Sequence, residues 1–304
     1  MYKRITIIIA ALALSFVPKV SNAQENIAYD AFSPYSIYGL GLLEMTGDQN
    51  TLAMGGIGIG DRSAAYINLL NPAAVTCRDI QGFMLDFGIS QKNIFYEANR
   101  ADGSGKATSV SNLCNIHHVV ASFPITRKIA FQAGVMPFSS TGYYFQDRIY
   151  EDQVIVEIGD VQYAKQGKGG TYQCFLGAGW EVAKNLNIGA EGILYLGNTE
   201  HSSVTAFTTN SSYRTIQRSW DIVSRGFGAK LGAQYTADLG KNTALTLGAT
   251  YKVGSKLKGE QNLSTIATSG TVDTIASTPT TIKYRIPCEV GAGFTLRKTA
   301  RWMV

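Results

Sequence analysis

From Gly82 onward apolar residues recur at every second position, and this period constrains the fold more than any other feature of the chain. Leu245, Leu247, Ala249, Tyr251 and Val253 alternate with Ala244, Thr246, Gly248, Thr250 and Lys252. Successive side chains of a strand point to opposite faces, so the pattern predicts strands with one apolar face. It recurs in Tyr172 to Val182, in Leu186 to Leu196, in Phe227 to Tyr235 and in Ile286 to Leu296. The second face is rich in Gly, with only occasional Glu, Lys or Gln. A soluble sandwich would cover its wet face densely with charge and Thr. An apolar outer face over a small, sparsely polar inner face predicts a membrane barrel instead. Tyr172, Trp180, Tyr195, Tyr235, Tyr251 and Tyr284 lie near strand ends, where interfacial aromatic girdles occur.

The start of the chain agrees with export. Residues 1–23 carry Lys3 and Arg4, an apolar run from Ile5 to Val17 and a small-residue cleavage site, Ser21-Asn22-Ala23, so they read as a signal peptide. No later stretch approaches the roughly 20 apolar residues of a membrane helix, which leaves a closed barrel as the way to span a bilayer. With 45% hydrophobic residues and a mean hydropathy of zero, the chain is neither disordered nor a helical membrane bundle. Lys and Arg are scattered without a basic stripe, which argues against a nucleic-acid partner. The expected location is the outer membrane of a Gram-negative bacterium.

Short turns at 126–128, 183–185 and 239–242 alternate with longer polar stretches near 99–110, 139–168, 201–213 and 255–283. This is the turn and loop asymmetry of outer-membrane barrels. Strands are expected near 83–96, 111–124, 129–145, 169–182, 186–200, 214–237, 243–255 and 283–297. That is about eight, with Arg301 to Val304 starting a ninth, so residues 81–304 are expected to form an incomplete antiparallel transmembrane β-barrel in an all-β fold. An even strand total predicts a native chain longer by about one hundred residues. Pro137 and Pro287 fall nearer strand interiors and suggest bulges or breaks in pairing.

Residues 24–80 do not share the period. Gly55, Gly56, Gly58 and Gly60 permit bent backbone, Asn71-Pro72 is a turn signal, and Met54, Ile57, Ile59, Tyr66, Ile67, Leu69 and Leu70 are buriable. The segment is expected to be a hatch, or plug, inside the barrel; the alternative is a flexible linker. The run Gly-Gly-Ile-Gly-Ile-Gly-Asp from Gly55 to Asp61, followed by Asn71-Pro72-Ala73, resembles the hatch of the FadL-like outer-membrane long-chain fatty acid transporters. Ser33 to Gly41, SPYSIYGLG, resembles a branch of related barrels, some of which serve protein secretion.

That resemblance implies diffusion of a hydrophobic small molecule, a long-chain fatty acid, through a plugged barrel in contact with outer-membrane lipid. Gly55, Gly56, Gly58, Asn71, Pro72 and Ala73 would form the hatch and gate. Family members have a kinked strand that opens the wall sideways, and Pro137 with Phe138 is a candidate for that break; the alternative is a strand that ends there. The rival function is a barrel that binds partner proteins in a secretion or surface-assembly system.

Catalytic chemistry finds no foothold. Gly56 to Gly60 has no strand before it and so is not a dinucleotide loop, and Gly167-Lys168-Gly169-Gly170 lacks the P-loop spacing and reads as a loop end. His117 and His118 are adjacent on an expected strand, so they are expected to face opposite sides, and His201 has no nearby ligand partner. Asp147, Glu151, Asp152, Glu157 and Asp160 read as a solvated acidic loop. Cys77, Cys114, Cys174 and Cys288 show no metal spacing and read as small hydrophobes, although export permits disulfides. No catalytic residue, metal or cofactor is expected.

Overall fold

A computed structural model describes residues 32–77, 82–99, 105–149, 155–157, 159–207, 213–240, 242–269, 271–298 and 302–303. The expected signal peptide, Glu151 and Asp152 lie outside the described residues. A 3₁₀ turn at Pro34–Ile37 precedes strand β1 (Leu42–Leu43), helix α1 (Gln49–Ala53) and a second 3₁₀ turn at Pro72–Thr76. Then follow β2 (Met84–Asn99), β3 (Lys106–Pro124), β4 (Ile129–Arg148), β5 (Val161–Ala183), β6 (Leu186–Phe207) and β7 (Thr215–Gly240). The last strands are β8 (Thr243–Lys252), β9 (Ser255–Ser269), β10 (Thr271–Ile286), β11 (Glu289–Lys298) and β12 (Trp302–Met303).

All the strands belong to one antiparallel sheet, a half-barrel, in the order β12-β11-β8-β7-β6-β5-β4-β3-β2. Among the described residues no pairing joins β2 to β11 or β12, so the sheet is open there. Strand β7 is long enough to hold two partners end to end: β8 along residues 230–240 and β9 along 215–226. β8 and β9 therefore form one interrupted strand, and β10 and β11 form the next, broken at Pro287. Proline cannot donate to a ladder, and the break falls where none is required.

Several expectations are corrected. The stretch 255–283 is the β9–β10 hairpin rather than a loop; its polarity hid a sheet former, since Thr265, Ile266, Thr268, Thr280, Thr281 and Ile282 are β-branched. Strands β4, β5 and β6 likewise run well into stretches read as loops, and Gly167 to Gly170 lies inside β5 rather than at a loop end.

The sheet is inside-out relative to a soluble protein. Leu176 is 61% exposed, Phe227 68%, Val290 78% and Phe294 66%, whereas Glu191 is 8% and Gln234 1% exposed. Rows of outward residues continue from strand to strand, as in Ala178, Ala190, Leu231, Tyr251 and Val290, which are successive partners on β5, β6, β7, β8 and β11. Tyr172, Trp180, Tyr235 and Tyr251 are exposed, but Tyr195 is fully buried. Period two requires this, because Leu194 and Leu196 on either side both face out. The Tyr195 ring meets Phe138 edge-on at 5.0 Å, within an inner cluster that includes Ile67, Leu69, Met136, Phe175 and Ile193.

Candidate functional site

Residues 59–76 lie against the inner face of the sheet, and the sequence supplies a seat for them. Gly179, Gly189 and Gly232 are successive register partners on β5, β6 and β7. A Cβ on Gly189 would collide with the backbone of Pro72 and Ala73, and one on Gly179 with Val75 and Thr76. Their lack of side chains lets the 3₁₀ turn at Pro72–Thr76 approach the strands at backbone distance. Gly248, Gly291 and Gly293 do the same for Ile59 and Gly60.

Asn71 fastens this turn. It is fully buried, its Oδ1 accepts from Ala73 N at 3.0 Å, and its Nδ2 donates to Ile59 O at 2.9 Å and to Ala233 O at 3.2 Å. The side chain thus caps the turn, holds the preceding loop and binds β7. Pro72 follows at the first helical position, where its missing N–H costs nothing. Thr76 Oγ1 donates to Asn187 Oδ1 at 2.8 Å. Gly55 and Gly56, at φ of +81° and +82°, make the turn after α1, and Asn68 Nδ2 closes the following loop by donating to Gly58 O at 2.7 Å.

The sparse polar residues of the inner face serve the same segment. Gln234 Nε2 donates to Ile59 O at 3.0 Å and Asp61 O at 3.1 Å, and Lys230 Nζ donates to Leu69 O at 3.1 Å. Arg297 reaches Asp61 at 3.3 Å. Burial raises the Asp61 carboxyl above the ordinary carboxylate range, and Arg297 pulls it back in part. Glu191, Lys230, Lys252 and Glu289 are successive register partners on β6, β7, β8 and β11, so two cations lie between two anions. Gln132 Nε2 donates to Glu191 at 3.1 Å, and Lys252 Nζ sits 5.2 Å from the Phe138 ring centre. Sequence reading missed these four as a group; the signal available was that each is a lone charge on a glycine-rich face.

Pro137 and Phe138 stand where the wall changes partners. β3 and β4 pair from Pro124 and Ala130 up to Val119 and Val135, and the β4–β5 register shifts between Pro137 and Ser139. Beyond that point β4 pairs with β1, Leu43 against Ser139 and Leu42 against Ser140. Glu44 N donates to Phe138 O at 2.9 Å, and the Glu44 carboxylate takes Lys92 Nζ at 2.7 Å and the Ser140 hydroxyl. A cavity of about 340 Å³ opens here, lined by Glu44, Lys92, His117, Val119, Val135 and Pro137 among others.

The expectation that His117 and His118 face opposite sides is wrong. A register shift between Gly88 and Ile89 leaves His117 unpaired in a β-bulge, and both rings turn to one side with their Nδ1 atoms 2.9 Å apart. His118 Nε2 lies 3.3 Å from Asp86, and His117 Nε2 3.3 Å from Met45 O. His201 Nδ1 lies 2.7 Å from the Tyr143 hydroxyl, and its ring stacks on Trp220. Among the described residues no group of three or more His, Cys, Asp or Glu side chains is placed to hold a metal. The four cysteines are free, with Cys114 and Cys288 exposed. Asp147 accepts from the Tyr163 hydroxyl and Asp160 from Gln162.

The glycine seat and the inner-face polar side chains hold residues 59–76 against the sheet. A family model described as BamG matches residues 1–304. The chain belongs to the BamG family. That family is tied to the BAM outer-membrane assembly machinery, and membership overturns both the FadL-like resemblance and the fatty acid transport drawn from it. The misleading motifs, Gly55 to Asp61 and Asn71-Pro72-Ala73, are a glycine-rich loop and a turn capped by Asn71. Neither the comparison with curated proteins nor that with solved structures gave a match.

Proposed function

We propose that this protein is a membrane-embedded subunit of an outer-membrane protein assembly machine that acts by holding partner polypeptides, not by chemical turnover. The observation that carries the reading is the BamG match along the whole chain. The inside-out sheet supports it, since charge and Gln within and Leu, Phe and Val without suit a wall bathed in lipid. On this reading residues 1–23 direct export, residues 24–80 plug the barrel and residues 81–304 belong to its wall. The Asn71 turn and its glycine seat anchor the plug. The surroundings are the outer membrane of a Gram-negative bacterium, and the partners are proteins of the same machine.

Affinity purification of a tagged chain from its own membranes in mild detergent tests this. The expected result is one or more proteins recovered in fixed stoichiometry and retained through gel filtration. Recovery of the chain alone, after chemical cross-linking in intact cells, would count against it.

A further inference from the structure

The seam between β3 and β4 carries an inference of its own. β5 takes one edge of β4 along its length, so β1 lies on the other edge, the one β3 takes only between Ala130 and Val135. The N-terminal segment follows that edge from Gly142 to Phe138. Ser33 N donates to Gly142 O at 2.8 Å, two ladder pairs follow, and Glu44 N donates to Phe138 O. Its extended part, Leu42 to Glu44, acts as a short surrogate wall strand on β4, while the 3₁₀ turn before it is fastened to Gly142 by Ser33 N and the Ser36 hydroxyl.

Its other side is held differently. Toward the β2–β3 hairpin, among the described residues, side chains make the hydrogen bonds: Tyr96 Oη to Phe32 O at 2.6 Å, Lys92 to Glu44 at 2.7 Å, His117 to Met45 O at 3.3 Å, and Gln49 Nε2 to Ile89 O at 3.4 Å. A wall strand with one backbone-bonded edge, next to a cavity of about 340 Å³, is easier to release than one paired on both sides. Leu43 is 70% exposed on it, and the Lys92 side chain is 44% exposed.

We infer that the β3–β4 seam is a strand-receiving interface, occupied at rest by the chain's own Ser33 to Glu44 and open to an extended segment of a partner polypeptide that replaces it. The resident defines the chemistry of the newcomer: extended backbone for the β4 edge, an apolar residue at the position of Leu43, and a carboxylate at the next position for Lys92 and Ser140. This deepens the partner-holding reading by naming the surface and the kind of segment it takes.

The probe is a fluorescent synthetic peptide with the sequence Ser33 to Met45, added to the purified full chain in detergent. Saturable binding is expected. It should disappear when Leu42→Cys and Ser140→Cys form a disulfide, in a background where the four native cysteines are serine, and return on reduction. The peptide carrying Glu44→Lys should bind at least about tenfold more weakly, because its cation meets Lys92. No binding to the reduced protein, or equal binding to the locked one, would overturn the proposal. Hydrogen exchange on the unmodified protein provides a second arm. The amides of Ser33 and Glu44 should exchange far faster than those of the β5–β6 ladder, and equal protection would also overturn it. Peptide binding is read on the isolated chain and copurification in its own membrane, so failure of one is distinguishable from failure of the other.

Discussion

Gly189 is the residue at which a single methyl group decides whether the N-terminal segment can seat. A Cβ there meets Pro72 and Ala73 backbone, which cannot rotate away as a side chain would. Gly189→Val should weaken docking by about 1–3 kcal/mol, the usual cost of overpacking, and expose the Pro72 turn to protease while the strands survive. Limited trypsin digestion with heat-modifiable gel mobility reads both effects; a variant as protease-resistant as the parent would contradict the seat. Asn71→Ala removes a cap and two bonds to carbonyls and should cost about 1–2 kcal/mol by the same assay.

Asp61 gives the docking a pH dependence of definite sign. Its folded-state carboxyl is raised above the unfolded value, chiefly by burial. Its contribution is fully present below the unfolded pKa and is lost as pH rises through the folded one. Protection of the segment should therefore increase as the pH falls from neutral into the carboxylate range, and Asp61→Asn should flatten that dependence. Hydrogen exchange followed against pH is the measurement, and an unchanged slope in the variant would contradict the assignment.

At the scale of elements, the charge row across β6, β7, β8 and β11 makes a prediction that separates pairing from packing. Lys230→Met leaves Glu191 buried beside one cation fewer and should destabilise the sheet by about 3 kcal/mol. Adding Glu191→Gln should recover a good part of that loss. Urea unfolding in detergent tests it, and strictly additive losses would mean that the two do not interact.

The same scale shows what the sequence could and could not disclose. Period two, the short turns and the inward glycines are local, and from them the existence and order of β2 to β8 and β11 were legible, while one end each of β3, β5, β6 and β11 fell five to eight residues from its expected place. The β9–β10 hairpin was not, because its Thr and Ser residues resemble a loop in composition and reveal themselves only through β-branching. The His117 bulge was invisible for a different reason: an extra residue in one strand is defined by its partner strand, which periodicity along a single segment does not contain. Glu44 was missed because its partners, Lys92 and Ser140, are remote in sequence.

The described residues form a half-barrel sheet with one apolar face and one polar, glycine-lined face, against which residues 59–76 rest. This architecture alone suits many outer-membrane tasks, which is why motif resemblance misdirected the reading toward transport while family membership turned it toward assembly. On the proposed function the chain serves the assembly of other outer-membrane proteins. Depleting it from an inducible strain, then following newly made barrel proteins by pulse labelling and membrane fractionation, tests that most directly. Several unrelated barrels should fail to reach their heat-modifiable form and accumulate unfolded. Normal assembly of those barrels in depleted cells would contradict it.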